Sequence, residues 1–403
     1  MLASLMWGFV VSDLSSTPLQ LILALVVFLF GILVCILFGK FFKTRASRAL
    51  GLYFWHTLFC LIYFLYVTTF GGDATGYYHW SLVSDPEFRF GTIAVRIMTS
   101  FFSQGLGLSL LGCSLVFQIF GYIGLLGFDA SLREVTLNKS KNIRLLSALI
   151  ILLPSISFWS SGLGKDSLSF CAMGLALWAA LSLKNRWWLL VVAMLIMLLV
   201  RPHMAGMLGL GLAGSFVFQR GIPLPQRVVL GGIALAAAVF LVPFGLNYAG
   251  VGENAGAEDV MQYIEGRQGY NLKGGGAVDI SSMSPPVQMF TYLFRPSLIE
   301  VRNVFSLAAA LDNTILLFLF IAGGWALIKK PLPAHLLAHN RMFLWIYSLG
   351  AWLILAMTTA NLGIALRQKW MFAPMLIFLL ISVIGRPRLP VESELATLEG
   401  SKR

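Results

Sequence analysis

Residues 18–39 read PLQLILALVVFLFGILVCILFG, a run with no charged residue, and Lys40, Lys43, Arg45 and Arg48 follow directly. A spanning helix needs about 20 apolar residues, because the hydrocarbon core of a bilayer is about 30 Å thick. This run is long enough, and the basic cluster behind it is of the kind that anchors a helix end at a membrane surface. Composition agrees. Of 403 residues, 58% are hydrophobic and 11% charged, too few charges to build a water-facing exterior around a chain of this length. Lipid accepts an apolar surface, so the expected fold is all-α: a polytopic transmembrane helical bundle forming a single integral membrane domain over 1–403.

Comparable runs recur at about 49–70, 105–127, 145–160, 167–183, 187–200, 204–218, 228–248, 304–328, 342–359 and 370–385, which gives about 11 spans. Several are short, notably those flanking Gly162–Asp166 and Arg201–His203, as expected of helices that stop below a membrane surface around a polar cavity. Segments 40–48, 129–144, 184–186, 220–227, 329–341 and 386–403 together hold 19 of the 29 basic residues and only five acids. The alternate connections hold the other 10 basic residues with 12 acids. The first set therefore reads as cytoplasmic, with the N-terminus outside and 386–403 as a cytoplasmic tail. The formal charge of +12 is spread over these anchors and forms no stripe with interleaved aromatics, which argues against a nucleic-acid partner. No cleavable leader is expected, because Met1–Thr17 lacks a basic start. Cys35, Cys60, Cys113 and Cys171 all fall inside apolar runs and read as small core residues.

The longest connection, 249–303, is expected to be one long outer loop, rich in glycine and with a short surface helix over Val260–Arg267. Residues Gly71 to about Ser103 form a second outer stretch. There Phe88, Phe90, Ile93, Ala94, Ile97 and Met98 suggest an amphipathic helix lying in the interface. No internal repeat and no soluble domain is apparent.

With the sides assigned, the unusual polar residues gather on one face. Gly72-Asp73-Ala74-Thr75-Gly76-Tyr77-Tyr78 follows the second span. Phe158-Trp159-Ser160-Ser161-Gly162-Leu163-Gly164-Lys165-Asp166 separates two short runs, and Arg201-Pro202-His203 separates another two. Phe294-Arg295-Pro296 through Glu300, Arg302 and Asn303 leads into the ninth run, and Arg367 and Lys369 stand at the outer end of the last. Lys165, Arg201, Arg295, Arg302 and Arg367 are outer cations beside membrane, and guanidinium geometry suits phosphate oxygens. His203, Glu300, Tyr77 and Tyr78 complete the expected substrate-binding set. Asp73 and Asp166 are the candidate bases, the choice between them left open. A lipid pyrophosphate carries its own leaving group, so no cofactor is needed, and no metal site is expected in the absence of a His cluster or paired aspartates.

These residues resemble the multi-spanning proteins of bacterial surface-polysaccharide loci, the Wzy/EpsG-like polymerases and C-type glycosyltransferases. The points of likeness are Gly72-Asp73 with Tyr77-Tyr78, Pro154-Ser155 through Lys165-Asp166, Arg201-Pro202-His203, Phe294-Arg295-Pro296 with Glu300 and Arg302, and Arg367. The resemblance implies an inner-membrane polymerase, active in exopolysaccharide, O-antigen or capsule assembly. It would move a growing glycan from one undecaprenyl pyrophosphate to the sugar of another. It also implies a flippase and a chain-length regulator as partners. The single long outer loop departs from the two-loop pattern of many O-antigen polymerases. Two other classes are weighed: a flippase or transporter of lipid-linked oligosaccharide, and a non-catalytic partner of a polysaccharide assembly machine.

Overall fold

The computed structural model describes residues 17–83, 87–218, 223–233, 235–236, 265–266, 268–269, 276–329 and 340–385. Among them the chain is helical, and the one β-type contact is an isolated antiparallel bridge between Ala277 and Asn361. Two long helices open the chain, α1 (Pro18–Phe41) and α2 (Ala46–Phe70). Two short ones follow, α3 (Asp73–Val83) and α4 (Thr92–Ser100), the latter running on into a π turn. Next come α5 (Leu110–Thr136), α6 (Lys141–Ile151), α7 (Pro154–Ser160), α8 (Lys165–Ala180), α9 (Leu183–Val200) and α10 (Pro202–Phe218). After α11 (Pro285–Phe294) come α12 (Val304–Lys329), α13 (Arg341–Thr358), α14 (Leu362–Gln368) and α15 (Ala373–Val383).

Among the described residues seven helical stretches are long and apolar enough to cross a membrane, or eight if the bent unit of α14 and α15 is counted as one span. α6 and α7 together make one of the seven. Of the remaining expected spans, α8 and α10 are 16 and 17 residues long, at the short end of what crosses a bilayer. The run 228–248 lies mostly outside the described residues, as do Val260–Arg267 for the most part, the N-terminal segment before residue 17, and the tail 386–403. The described part of 249–303 is more than a loop. α11 lies within it and packs on α13, with Tyr292 and Leu293 buried.

Glycine decides the centre of the bundle. α5 and α8 pack so closely that a Cβ on Gly174 would lie 2.2 Å from the Gly124 carbonyl oxygen, and one on Gly127 would lie 2.7 Å from that of Gly174. Small residues let helix backbones approach where apolar surface alone gives no preference for one partner. α5 is the most enclosed of the long helices, with α1, α2, α6 and α8 around it. By contrast α1 presents Leu19, Ile22, Leu25, Leu29 and Leu33 outward, an apolar face suited to lipid.

At one end of the bundle the basic residues serve as caps and ties. Asp129 is fully buried and accepts from Arg48 Nη2 at 2.6 Å and from Arg133 Nε at 2.8 Å. Arg133 also donates to the carbonyls of Phe42 and Lys43, closing the α1–α2 turn. Lys139 Nζ donates to the carbonyls of Ile381, Ser382 and Ile384, which have no helical partners because α15 ends there. Arg186 stacks over Trp178 with its guanidinium carbon 3.6 Å from the ring centre. The 40–48, 129–144 and 184–186 clusters thus meet at one end.

Candidate functional site

At the opposite end of α8 lies an ionic cluster. The turn before α8 is set by two glycines. A Cβ on Gly162 would lie 2.1 Å from Tyr63 Cε1, and Gly164 has φ +155°, backbone that favours glycine, with Tyr77 just beyond it. The turn is wedged between these two rings, and α8 then starts with Lys165 and Asp166. α9 runs back beside α8 and ends at Arg201, since Pro202 cannot supply the next amide hydrogen. The break aims the Arg201 side chain at Asp166.

Arg201 Nη2 lies 2.6 Å from Asp166 Oδ1, and Arg367 Nε lies 3.2 Å from Asp166 Oδ2. Arg367 uses a different edge, Nη1, to reach Asp73 Oδ2 at 2.6 Å. The order Asp73–Arg367–Asp166–Arg201 therefore joins four segments that are remote in sequence. Exposure falls along it: the side chains of Asp73, Arg367, Asp166 and Arg201 are 55%, 26%, 18% and 9% accessible. Lys165 stands beside all four but belongs to none of these ion pairs. Tyr77 is buried here. Loss of water, then the charges of Asp73 and Asp166, push its phenol well above the ordinary range, so it remains a neutral hydrogen-bond donor.

A narrow cavity opens beside the cluster, lined by Trp159, Ser160, Asp166, Phe170, Arg367, Trp370 and Met371. Trp370 is buried and its indole N–H has no partner; the Tyr292 hydroxyl and Arg201 Nε are likewise buried and unpaired. All three are donors, so the place is short of acceptors. Asn361 caps α14 by accepting from the Gly363 and Ile364 amides, which fixes the helix carrying Arg367. Residues 276–278, in the middle of the 249–303 stretch, are pinned alongside, with Leu362 N bonded to Gly276 O and Val278 N to Ala360 O.

The structure brings together Asp73, Asp166, Lys165, Arg201, Arg367 and Tyr77 from the expected set. Arg295, Glu300, Arg302 and Tyr78 have their described bonds elsewhere. Arg295 is bonded to Glu300, and Glu300 also accepts from the Ser297 amide and hydroxyl, closing a 3₁₀ turn. That pairing pulls the Glu300 carboxyl down to about 2, the Arg295 hydrogen bond being the main cause. Arg302 is exposed, and its backbone amide donates to Ser306. Tyr78 reaches the Leu108 carbonyl at 3.4 Å, and His203 is half-buried in the first turn of α10.

Two features were not anticipated. Lys369, expected at an outer helix end, is fully buried, bonded to Asn313 Oδ1 and close in charge to Asp312. Asp312 accepts from the Ser155 amide at 3.0 Å and from its hydroxyl, and Asn313 donates to the Pro296 carbonyl. This group ties α12 to α7, to the Arg295–Glu300 turn and to the chain just after Arg367. The second feature is His56, buried in α2 with Nε2 3.0 Å from Ser160 Oγ at the cavity wall. Polar residues inside apolar runs, Asp312-Asn313 and His56, were the available signal; their partners were not visible. Among the described residues no group of three or more His, Cys, Asp or Glu is placed to hold a metal ion.

No protein-family model, no curated protein and no solved structure matches this chain.

Proposed function

We propose that this protein is a glycosyltransferase of the polymerase kind, acting on polyprenyl-pyrophosphate-linked sugars at the outer face of a bacterial inner membrane. The observation that carries the reading is the cluster Asp73–Arg367–Asp166–Arg201 with Lys165 beside it, next to a cavity edged by unpaired donors. Guanidinium groups held by a half-buried carboxylate are preorganised to meet developing phosphate charge. In this reading the helices cross the membrane with the Asp166 end outward and the Asp129 end cytoplasmic. The short helices α8 and α10 and the run 228–248 complete the 11 spans, and the N- and C-termini lie outside and inside respectively.

The chemistry is a single displacement in outline. An acceptor sugar hydroxyl attacks the anomeric carbon of the donor, and the bond from that carbon to the phosphate oxygen breaks. The lipid pyrophosphate leaves with the electron pair, stabilised by Arg367, Arg201 and Lys165. The hydroxyl proton passes to Asp73. Asp73 suits that task better than Asp166, whose two oxygens each face a guanidinium while Asp73 is open to solvent. Asp166 acts instead as a positioning residue for both arginines.

The test is glycan analysis of a deletion strain complemented with wild type, Asp73→Asn, Lys165→Ala or Arg367→Ala. Surface polymer collapsing to single repeat units on lipid, with inserted protein at normal levels, is the expected result. Full-length polymer from all three variants would leave the protein a non-catalytic partner. A second reading, transport of the lipid-linked unit, is favoured by one observation: Asp312 and Lys369 are charged residues enclosed within the bundle. It predicts repeat units retained on the cytoplasmic side.

A further inference from the structure

Asp73 differs from the other three members of the cluster in how it is held. Its side chain is the most exposed of the four, and Arg367 is its one ion-pair partner among the described residues, whereas Asp166 has two. It opens α3 directly after Gly71, at φ +76°, and Gly72. Arg367 meets Asp73 and Asp166 with separate edges of the guanidinium, Nη1 for one and Nε for the other. Asp73 can therefore leave without disturbing the half-buried Arg367–Asp166 pair. An exposed ion pair contributes little to stability, and a phosphate makes stronger, bidentate bonds to the same guanidinium edge.

Charge balance leads the same way. With Asp73 in place, Lys165, Arg201 and Arg367 face two carboxylates; without it they face one. The cluster then suits a dianionic headgroup, and the Trp370 indole N–H beside Arg367 lacks an acceptor.

We infer that Asp73 is an exchangeable partner of Arg367: a phosphate-bearing headgroup takes its place on the guanidinium, and the released carboxylate becomes the base for the acceptor hydroxyl. This rests on the phosphate reading above and adds an order to it, because the base is freed only when the donor lipid is seated. An acceptor sugar or water arriving first meets a carboxylate still engaged with Arg367.

The experiment measures binding of farnesyl pyrophosphate, inorganic pyrophosphate and farnesol to the full chain in detergent micelles, by thermophoresis, alongside polymer formation in cells. Asp73→Asn is expected to bind farnesyl pyrophosphate about two- to fivefold more tightly than wild type while losing polymer formation. Asp73→Ala, lacking any acceptor, is expected to show the same opposition. Arg367→Ala is expected to bind about tenfold or more weakly. Unchanged or weaker binding by both Asp73 variants would overturn the exchange while leaving a phosphate site intact. Enhanced binding of inorganic pyrophosphate without any preference for the farnesyl form would support the exchange but overturn a lipid headgroup as the ligand. Binding of neither anion to wild type or variants would overturn the phosphate reading, and the exchange with it.

Discussion

Arg201 stands 35 residues after Asp166 and donates to its carboxylate at 2.6 Å, closing the open end of the α8–α9 pair. Both side chains are largely withdrawn from solvent, so neither charge is well served without the other. The same carboxylate faces Arg367, so a single acid holds the arginines of two remote segments in place.

Asp166→Asn is accordingly expected to destabilise the protein strongly. Removing one partner of a buried pair costs about 3–5 kcal/mol, here toward the lower end because Asp166 keeps some solvent contact. The double variant Asp166→Leu/Arg201→Met is expected to cost less than the two single changes added together. Chemical unfolding in micelles measures this. A loss below about 1 kcal/mol for Asp166→Asn would show that water, and not Arg201, balances the carboxylate.

The Arg295–Glu300 turn predicts an acid-dependent loss. The folded Glu300 carboxyl lies at about 2, below its ordinary value of 4.5, so its contribution is present above pH 4.5. It fades as pH falls from there toward 2. Thermal stability of wild type and Glu300→Gln should therefore differ at neutral pH and converge across that interval. A constant difference down to pH 2 would mean that the charge of Glu300 contributes nothing.

Gly121 and Gly324 make a matched pair for packing. A Cβ at Gly121 would lie 1.8 Å from the Ser160 carbonyl oxygen, while one at Gly324 meets nothing within 4 Å. Gly121→Ala is expected to cost about 1–3 kcal/mol or more through overpacking. Gly324→Ala is expected to be neutral or to stabilise by up to about 1 kcal/mol through helix propensity. Equal effects at the two sites would contradict the close approach of α5 and α7.

Several features were legible in the residues. The charge-free run 18–39 becomes α1, and seven long apolar stretches appear as helices. Asp73, Lys165, Asp166, Arg201 and Arg367 stand out in the sequence as polar residues on one assigned face, and in the structure these five gather. Sequence spacing did not show which ion belongs to which. Arg295 looked equivalent to Arg367, yet it closes a local turn with Glu300 five residues away. Asp129, counted only as an anchor acid, proved to be the buried knot of three chain segments.

The division has a physical cause. Apolar length and the distribution of Lys and Arg are properties of the chain itself, and transfer to lipid reads them one segment at a time. The helical character of these segments and the candidate polar residues are therefore already present in the linear order. Pairing is a property of distance, set by the contacts of Gly124 and Gly127 with Gly174, by Gly162 against Tyr63, and by the break at Pro202. Only those packings bring Arg367 to Asp73 across 294 residues, and they send Lys369, two residues further on, into the core beside Asn313 and Asp312.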